Sequence, residues 1–172
     1  MAQVQERPST DAVNDGRHDF DFFFGTWYVK NRKRVKPLVQ GDDEWIEFEG
    51  QVEAWPILGG VGNIDTFKAP EFPGRPGFEG FTLRLFEPDT GLWRIWWASS
   101  IGHGELDTPV VGRFRNGLGR FVCEDVIQGV PVRVRYDWKD IRAASVTWEQ
   151  SFSFDNGETW DPNWIMKSTR IT

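Results

Sequence analysis

The sequence predicts an all-β protein, a single up-and-down antiparallel barrel of about ten strands closed at one end by a short N-terminal turn. Three observations lead there. After residue 26 the chain alternates short apolar runs with Gly-, Asn- and Asp-rich turn signals. No segment carries a convincing 3.6-residue apolar period, and the only helical candidate is a short turn near 17–24. The runs follow one another through hairpin-length connections, and a closed barrel buries such a series without leaving open edges. A two-sheet sandwich is the alternative, but it usually needs longer Greek-key crossings.

The elements follow in order. Residues 1–16 are polar and are expected to form a disordered tail, with the barrel domain over 17–172. HDFDFFFGTWYVKNRKR, residues 18–34, gathers aromatic rings around Gly25 and runs on into the first strand. Strands are expected over 26–35, 45–54, 60–67, 79–87, 92–98, 109–115, 119–126, 131–138, 144–154 and 163–171. PDTG (88–91), RNGLG (115–119), QGV (128–130) and DNGE (155–158) supply the turns, where Gly or Asn accepts a positive φ.

Alternation assigns the faces. Trp27, Val29 and Asn31 oppose Lys30, Arg32 and Arg34; Ile46, Phe48, Gly50 and Val52 oppose Glu47, Glu49, Gln51 and Glu53. Basic and acidic rows then meet on the outside, which turns Trp27 inward. The same rule sends Val132, Val134, Tyr136 and Trp138 inward, with Leu83, Leu85, Trp93, Ile95, Trp97, Phe121, Cys123 and Asp125. Val146, Trp148, Gln150, Phe152, Trp164, Met166, Ser168 and Arg170 complete the expected interior. Phe86 and Trp96 are expected outside, beside Arg84 and Arg94, as a surface for a homodimer.

Composition narrows the function. The 172 residues suit one domain. A net charge of −6 without a basic block argues against nucleic acid. The opening lacks the apolar core of a signal peptide, and no apolar run reaches the ~20 residues of a membrane span. The one cysteine, Cys123, excludes an internal disulfide and is compatible with a cytoplasmic setting. Ten tryptophans and fourteen phenylalanines offer large apolar area and faces for stacking on flat ligands.

Gly25-Thr26-Trp27 on the first strand, with Arg170 on the last, resembles the calycin superfamily, which includes lipocalins, fatty-acid-binding proteins and avidins. That resemblance implies a structural pair at the barrel end, with the Arg170 guanidinium laid across the Trp27 indole. His18-Asp19-Phe20-Asp21-Phe22 and Leu58-Gly59-Gly60-Val61-Gly62-Asn63 extend the likeness. Phe86-Glu87-Pro88-Asp89-Thr90, Trp148-Glu149-Gln150 and Asp155-Asn156-Gly157-Glu158-Thr159-Trp160 extend it further. Together they are similar to an uncharacterised bacterial family of calycin-like domains, a resemblance that implies a fold and assigns no activity.

The candidate site is the barrel interior. Each polar group buried there costs about 1–3 kcal/mol unless it finds a partner. Asn31, Gln150 and Ser168 among Trp97, Trp148, Trp164 and Met166 would orient a small hydrophobic ligand, aromatic or polyunsaturated. The alternative is a cofactor-independent isomerase, cyclase or hydro-lyase using His103, Asp125 or Tyr136 for proton transfer. A filled, purely structural dimerising barrel is the third reading. His103, Glu105 and Asp107 in the loop ASSIGHGELDTP (98–109) are weak as a metal set, so neither a metal nor a cofactor is expected.

Overall fold

The computed structural model describes residues 16–172. Ten strands follow one another around a closed barrel: β1 (Gly25–Arg34), β2 (Trp45–Ile57), β3 (Gly62–Ala69), β4 (Phe78–Glu87), β5 (Leu92–Ser99), β6 (Val110–Arg115), β7 (Leu118–Ile127), β8 (Val130–Lys139), β9 (Ser145–Ser153) and β10 (Asp161–Arg170). Every pairing is antiparallel, and β10 closes on β1 through the ladder Trp27↔Arg170 to Lys33↔Trp164. The expected meander is therefore the observed one. The expected tail falls outside the described residues except for Gly16, whose carbonyl accepts a hydrogen bond from Trp93 Nε1 at 3.1 Å.

Strand direction sets two ends. A 3-10 turn at Asp21–Phe23 precedes the start of β1 and stoppers one end. At the other end lie the 35–44, 70–77, 100–109 and 154–160 connections and the turn between β7 and β8. We refer to these ends as the floor and the mouth. No helix of the described residues is long and apolar enough to cross a membrane.

The core follows the alternation along most strands. Trp27, Val29, Asn31, Phe48, Val52, Phe121, Val132, Val134, Trp138 and Val146 are buried. Strand β4 is the exception. Thr82, Arg84 and Phe86 are buried, whereas Leu83 and Leu85 sit on the outer wall. This reverses the expectation for Leu83, Leu85 and Phe86 and places Arg84 inside. The cause is β3, where Asn63 and Asp65 also face inward and the register sets Asn63 opposite Arg84. A charge that finds both a carboxylate and an amide can occupy an interior position that hydrophobicity alone gives to leucine. Strand β3 also starts at Gly62 rather than residue 60, because a 3-10 turn takes up Leu58–Gly60.

On the outer wall the register aligns Trp55, Ile64, Leu83 and Trp96 in one row across β2, β3, β4 and β5. Trp96 keeps its expected outward position; Phe86 does not.

Candidate functional site

The floor is built from the rings that open the sequence. Phe20 is edge-on to Trp93, Phe114 and Trp138, with centroids 5.0, 4.9 and 5.6 Å away. Trp27 is fully buried, and its Nε1 donates to the Phe23 carbonyl at 2.8 Å. The Arg170 guanidinium lies 4.2 Å from the Trp27 ring centroid. It donates to the Phe24 carbonyl at 2.6 Å, to the Phe22 carbonyl and to the Ala143 carbonyl at 3.1 Å. One cation thus fastens the turn, the first strand and the β8–β9 connection. Gly25 permits this closure. Its φ is 114°, and a Cβ there would strike the Thr172 carbonyl and crowd Arg170.

Above the Trp27 layer sits Arg84, only 3% exposed. Its Nη2 is 2.5 Å from Asp65 Oδ2, and its Nη1 donates to Asn63 Oδ1 at 2.9 Å. Its guanidinium carbon lies 5.0 Å from the Phe20 ring, 5.5 Å from Phe23 and 5.3 Å from Trp138. The cation is neutralised by one carboxylate and enclosed by aromatic faces, an arrangement that desolvation strengthens.

Between floor and mouth lies a cavity of about 220 Å³. Trp97, Trp148 and Trp164 supply its ring walls, with Met166, Tyr136, Gln150, Ser168 and Cys123 between them. Trp164 is edge-on to Trp97 at 6.1 Å and to Trp148 at 6.0 Å. Tyr136 meets Trp148 at 5.0 Å. Gly80 makes space for the Trp97 ring, because a Cβ at that position would fall within the indole.

The polar groups in the wall differ in what they do. Asn31 accepts from Trp164 Nε1 at 3.0 Å and lies behind that indole, outside the lining. Gln150 faces the cavity and donates to Asn163 Oδ1 at 2.7 Å. Ser168 and Met166 line the cavity from β10. Asp125 and Tyr136 also line it, whereas His103 is exposed on the 100–109 loop and outside the lining. Asp107 from that loop reaches the lining instead, and its backbone N–H donates to the Trp97 carbonyl at 2.8 Å. The loop covers the mouth where the β5–β6 ladder has ended at Ile95↔Val110.

Electrostatics divide the mouth. Desolvation, then the neighbouring Asp125 carboxylate, raises the Asp107 carboxyl above its ordinary value. Burial, with smaller contributions from Asp107, Cys123 and Asp125, raises the Tyr136 phenol. Burial pushes the Cys123 thiol up to about 11, helped by Asp125. Opposite, on β1, Lys33 moves the other way. Burial and then Arg75 lower its ammonium to about 8. Its Nζ stands 4.3 Å from the Trp164 ring centroid. The sequence reading passed over Lys33, Asp65 and Arg84 as cavity residues. Lys33 shares parity with Trp27, Val29 and Asn31, so alternation already pointed to it. Arg84 becomes legible only through its register with Asn63.

No family model matches the chain. No curated protein matches it either. Among solved structures it is similar to the crystal structure of Rv2717c from M. tuberculosis, with 10% identity and a TM-score of 0.60. That match covers 94% of this chain and 100% of the other. The fold is a closed ten-stranded antiparallel barrel, similar to that structure and consistent with the calycin-like barrel expected from the sequence. At this identity the likeness extends to the fold alone, so function is argued from the cavity.

Proposed function

We propose that the barrel binds one small, compact aromatic molecule between Trp97, Trp148 and Trp164. The cavity volume of about 220 Å³ carries this reading. A cavity of roughly 150 Å³ with apolar walls holds benzene, so this one suits a substituted monocycle better than an extended polyene. Three indoles supply faces and edges for stacking, and Gln150 and Ser168, with the charged Lys33, Asp107 and Asp125 also in the lining, supply polar contacts that orient the guest. Titrating the protein with benzyl alcohol, nitrobenzene and a long-chain fatty acid, followed by tryptophan fluorescence, tests the reading. Saturable quenching by the first two and not by the third supports it; no saturable quenching by any of them overturns it.

A second reading is acid–base chemistry on the same guest, of the isomerase, cyclase or hydro-lyase type. The observation favouring it is that Asp107, Asp125 and Tyr136 converge on one side of the lining, with the Asp107 carboxyl raised. A carboxyl shifted toward neutrality can both give and take a proton. Asp107 takes the place that His103 held in the sequence reading.

The partners of the outer wall are also a proposal. The Trp55, Ile64, Leu83 and Trp96 row suits a second copy of the chain in a cytoplasmic homodimer. Native mass spectrometry reads this directly: a dimer that Trp96→Glu converts to monomer supports it, and a wild-type monomer rejects it.

A further inference from the structure

We propose that Lys33 is a carbonyl-capturing amine, forming a Schiff base with a small aromatic aldehyde held in the cavity. Three observations place a nucleophile there. Lys33 lines the cavity from the inner face of β1, one strand away from the ring wall of Trp164. Among the described residues no carboxylate pairs with it and no hydrogen bond fixes its amine. Its charged group is left to the indole face of Trp164 and to the neighbouring Arg75, which lies over Phe72 with 5.4 Å from guanidinium carbon to ring. A lysine desolvated in an apolar pocket beside another cation loses its proton more readily than a surface lysine, and the free amine is the nucleophile.

Lys33 is the one lysine of the described residues that lines the cavity without a carboxylate partner. Lys139 is held by Glu149 at 2.8 Å, and Lys30, Lys36, Lys68 and Lys167 are exposed. The lowering to about 8 agrees with the geometry.

The step balances without a cofactor. The neutral Nζ attacks the carbonyl carbon, so a C–N bond forms as the carbonyl π pair moves to oxygen. That oxygen takes a proton from water, and the nitrogen gives one up, leaving a carbinolamine. The hydroxyl then departs with a proton as water, and a C=N bond replaces the C=O bond. Desolvation by the ring walls favours this loss of water.

The proposal depends on the cavity reading for access of the aldehyde, and the experiment separates the two. Full-length protein at about pH 7.5 is mixed with benzaldehyde and cyanoborohydride, which reduces an imine to a stable benzylamine. Peptide mass mapping then compares Lys33 with the five other lysines. Benzyl alcohol, which cannot form an imine, is titrated in parallel by tryptophan quenching. Lys33 should be benzylated at least about tenfold faster than any other lysine, since far more of its amine is unprotonated. The selective product should vanish in Lys33→Met and in Lys33→Arg. Quenching by the alcohol with Lys33 modified no faster than its neighbours overturns the amine proposal and leaves the binding reading standing. Selective benzylation of Lys33 without quenching by the alcohol upholds the amine and counts against non-covalent binding. Neither quenching nor selective benzylation overturns both.

Discussion

Arg170 carries more of the fold than its place near the chain end suggests. It joins the Trp27 face to three backbone carbonyls, at Phe22, Phe24 and Ala143. Arg170→Met removes every one of those bonds and leaves the carbonyls at a closed barrel end. We expect a loss of about 2–4 kcal/mol in urea denaturation, from the unpaired acceptors and the lost cation–π contact. A loss below about 0.5 kcal/mol would mean the carbonyls rehydrate freely. Cys123 gives a second residue-scale prediction. With its thiol pushed up to about 11, the thiolate is scarce at neutral pH. Iodoacetamide should alkylate it about a hundredfold more slowly than a free thiol at the same pH, and a rate equal to that of free cysteine contradicts the assignment. At this scale Gly25, Trp27 and Arg170 were legible because a plug, a cation and a glycine with no Cβ leave a spaced signature. The role of Asn31 was not legible, since whether an inward amide meets guest or neighbour depends on the rotamer of Trp164.

At the scale of the element, the β3–β4 hairpin and the β9–β10 hairpin make distinct predictions. Asp65 and Arg84 are both nearly inaccessible. Asp65→Asn strands a buried cation and should cost about 3–5 kcal/mol, whereas Asp65→Leu with Arg84→Met should cost much less. Equal costs for the two would show that the pair is not coupled. The β9–β10 turn is organised by Asp155, which accepts from the Thr159 N–H at 2.9 Å, from the Thr159 hydroxyl at 2.6 Å and from the Ser153 hydroxyl at 2.8 Å. The Thr159 side-chain bond is the largest cause lowering its carboxyl to about 2. A depressed acid stabilises fully above its ordinary value and loses that contribution as pH falls through the depressed one. The turn should thus hold at pH values near 4 and loosen toward about 2. Carbon NMR of the Asp155 carboxyl should titrate near 2. A midpoint at the usual aspartate value contradicts the bond network. Strand order was legible because turn residues and alternation are local, while β2 runs on to Ile57 and β3 begins at Gly62, beyond the bounds expected for them. The phase of β4 was not. Phe81, Leu83 and Leu85 outweigh Thr82 and Arg84 by hydrophobicity, and only the cross-strand partner Asn63 reverses that weight. A phase decided by a neighbour cannot be read from one strand alone.

Across the whole molecule, closure is what turns scattered rings into a site. Turn and Trp27 close the floor, the β1–β10 ladder closes the wall, and the 70–77 and 100–109 connections narrow the mouth. Phe72 from the first of these lies 4.1 Å from Phe48 and 5.0 Å from Phe78, packed beside the ring wall. The resulting space is small, polarised and ring-lined: Lys33 stands on β1, while Asp125 stands on β7 across the barrel. The sequence announced a barrel with an aromatic interior; cavity size and the asymmetry of its charges depend on packing and on which loop residues turn inward. One measurement bears most directly on the enclosed space, a crystal of the protein soaked in bromobenzene and examined for anomalous bromine signal. The cavity reading predicts a bromine site between Trp97, Trp148 and Trp164; bromine confined to the outer wall, or absent, would contradict it.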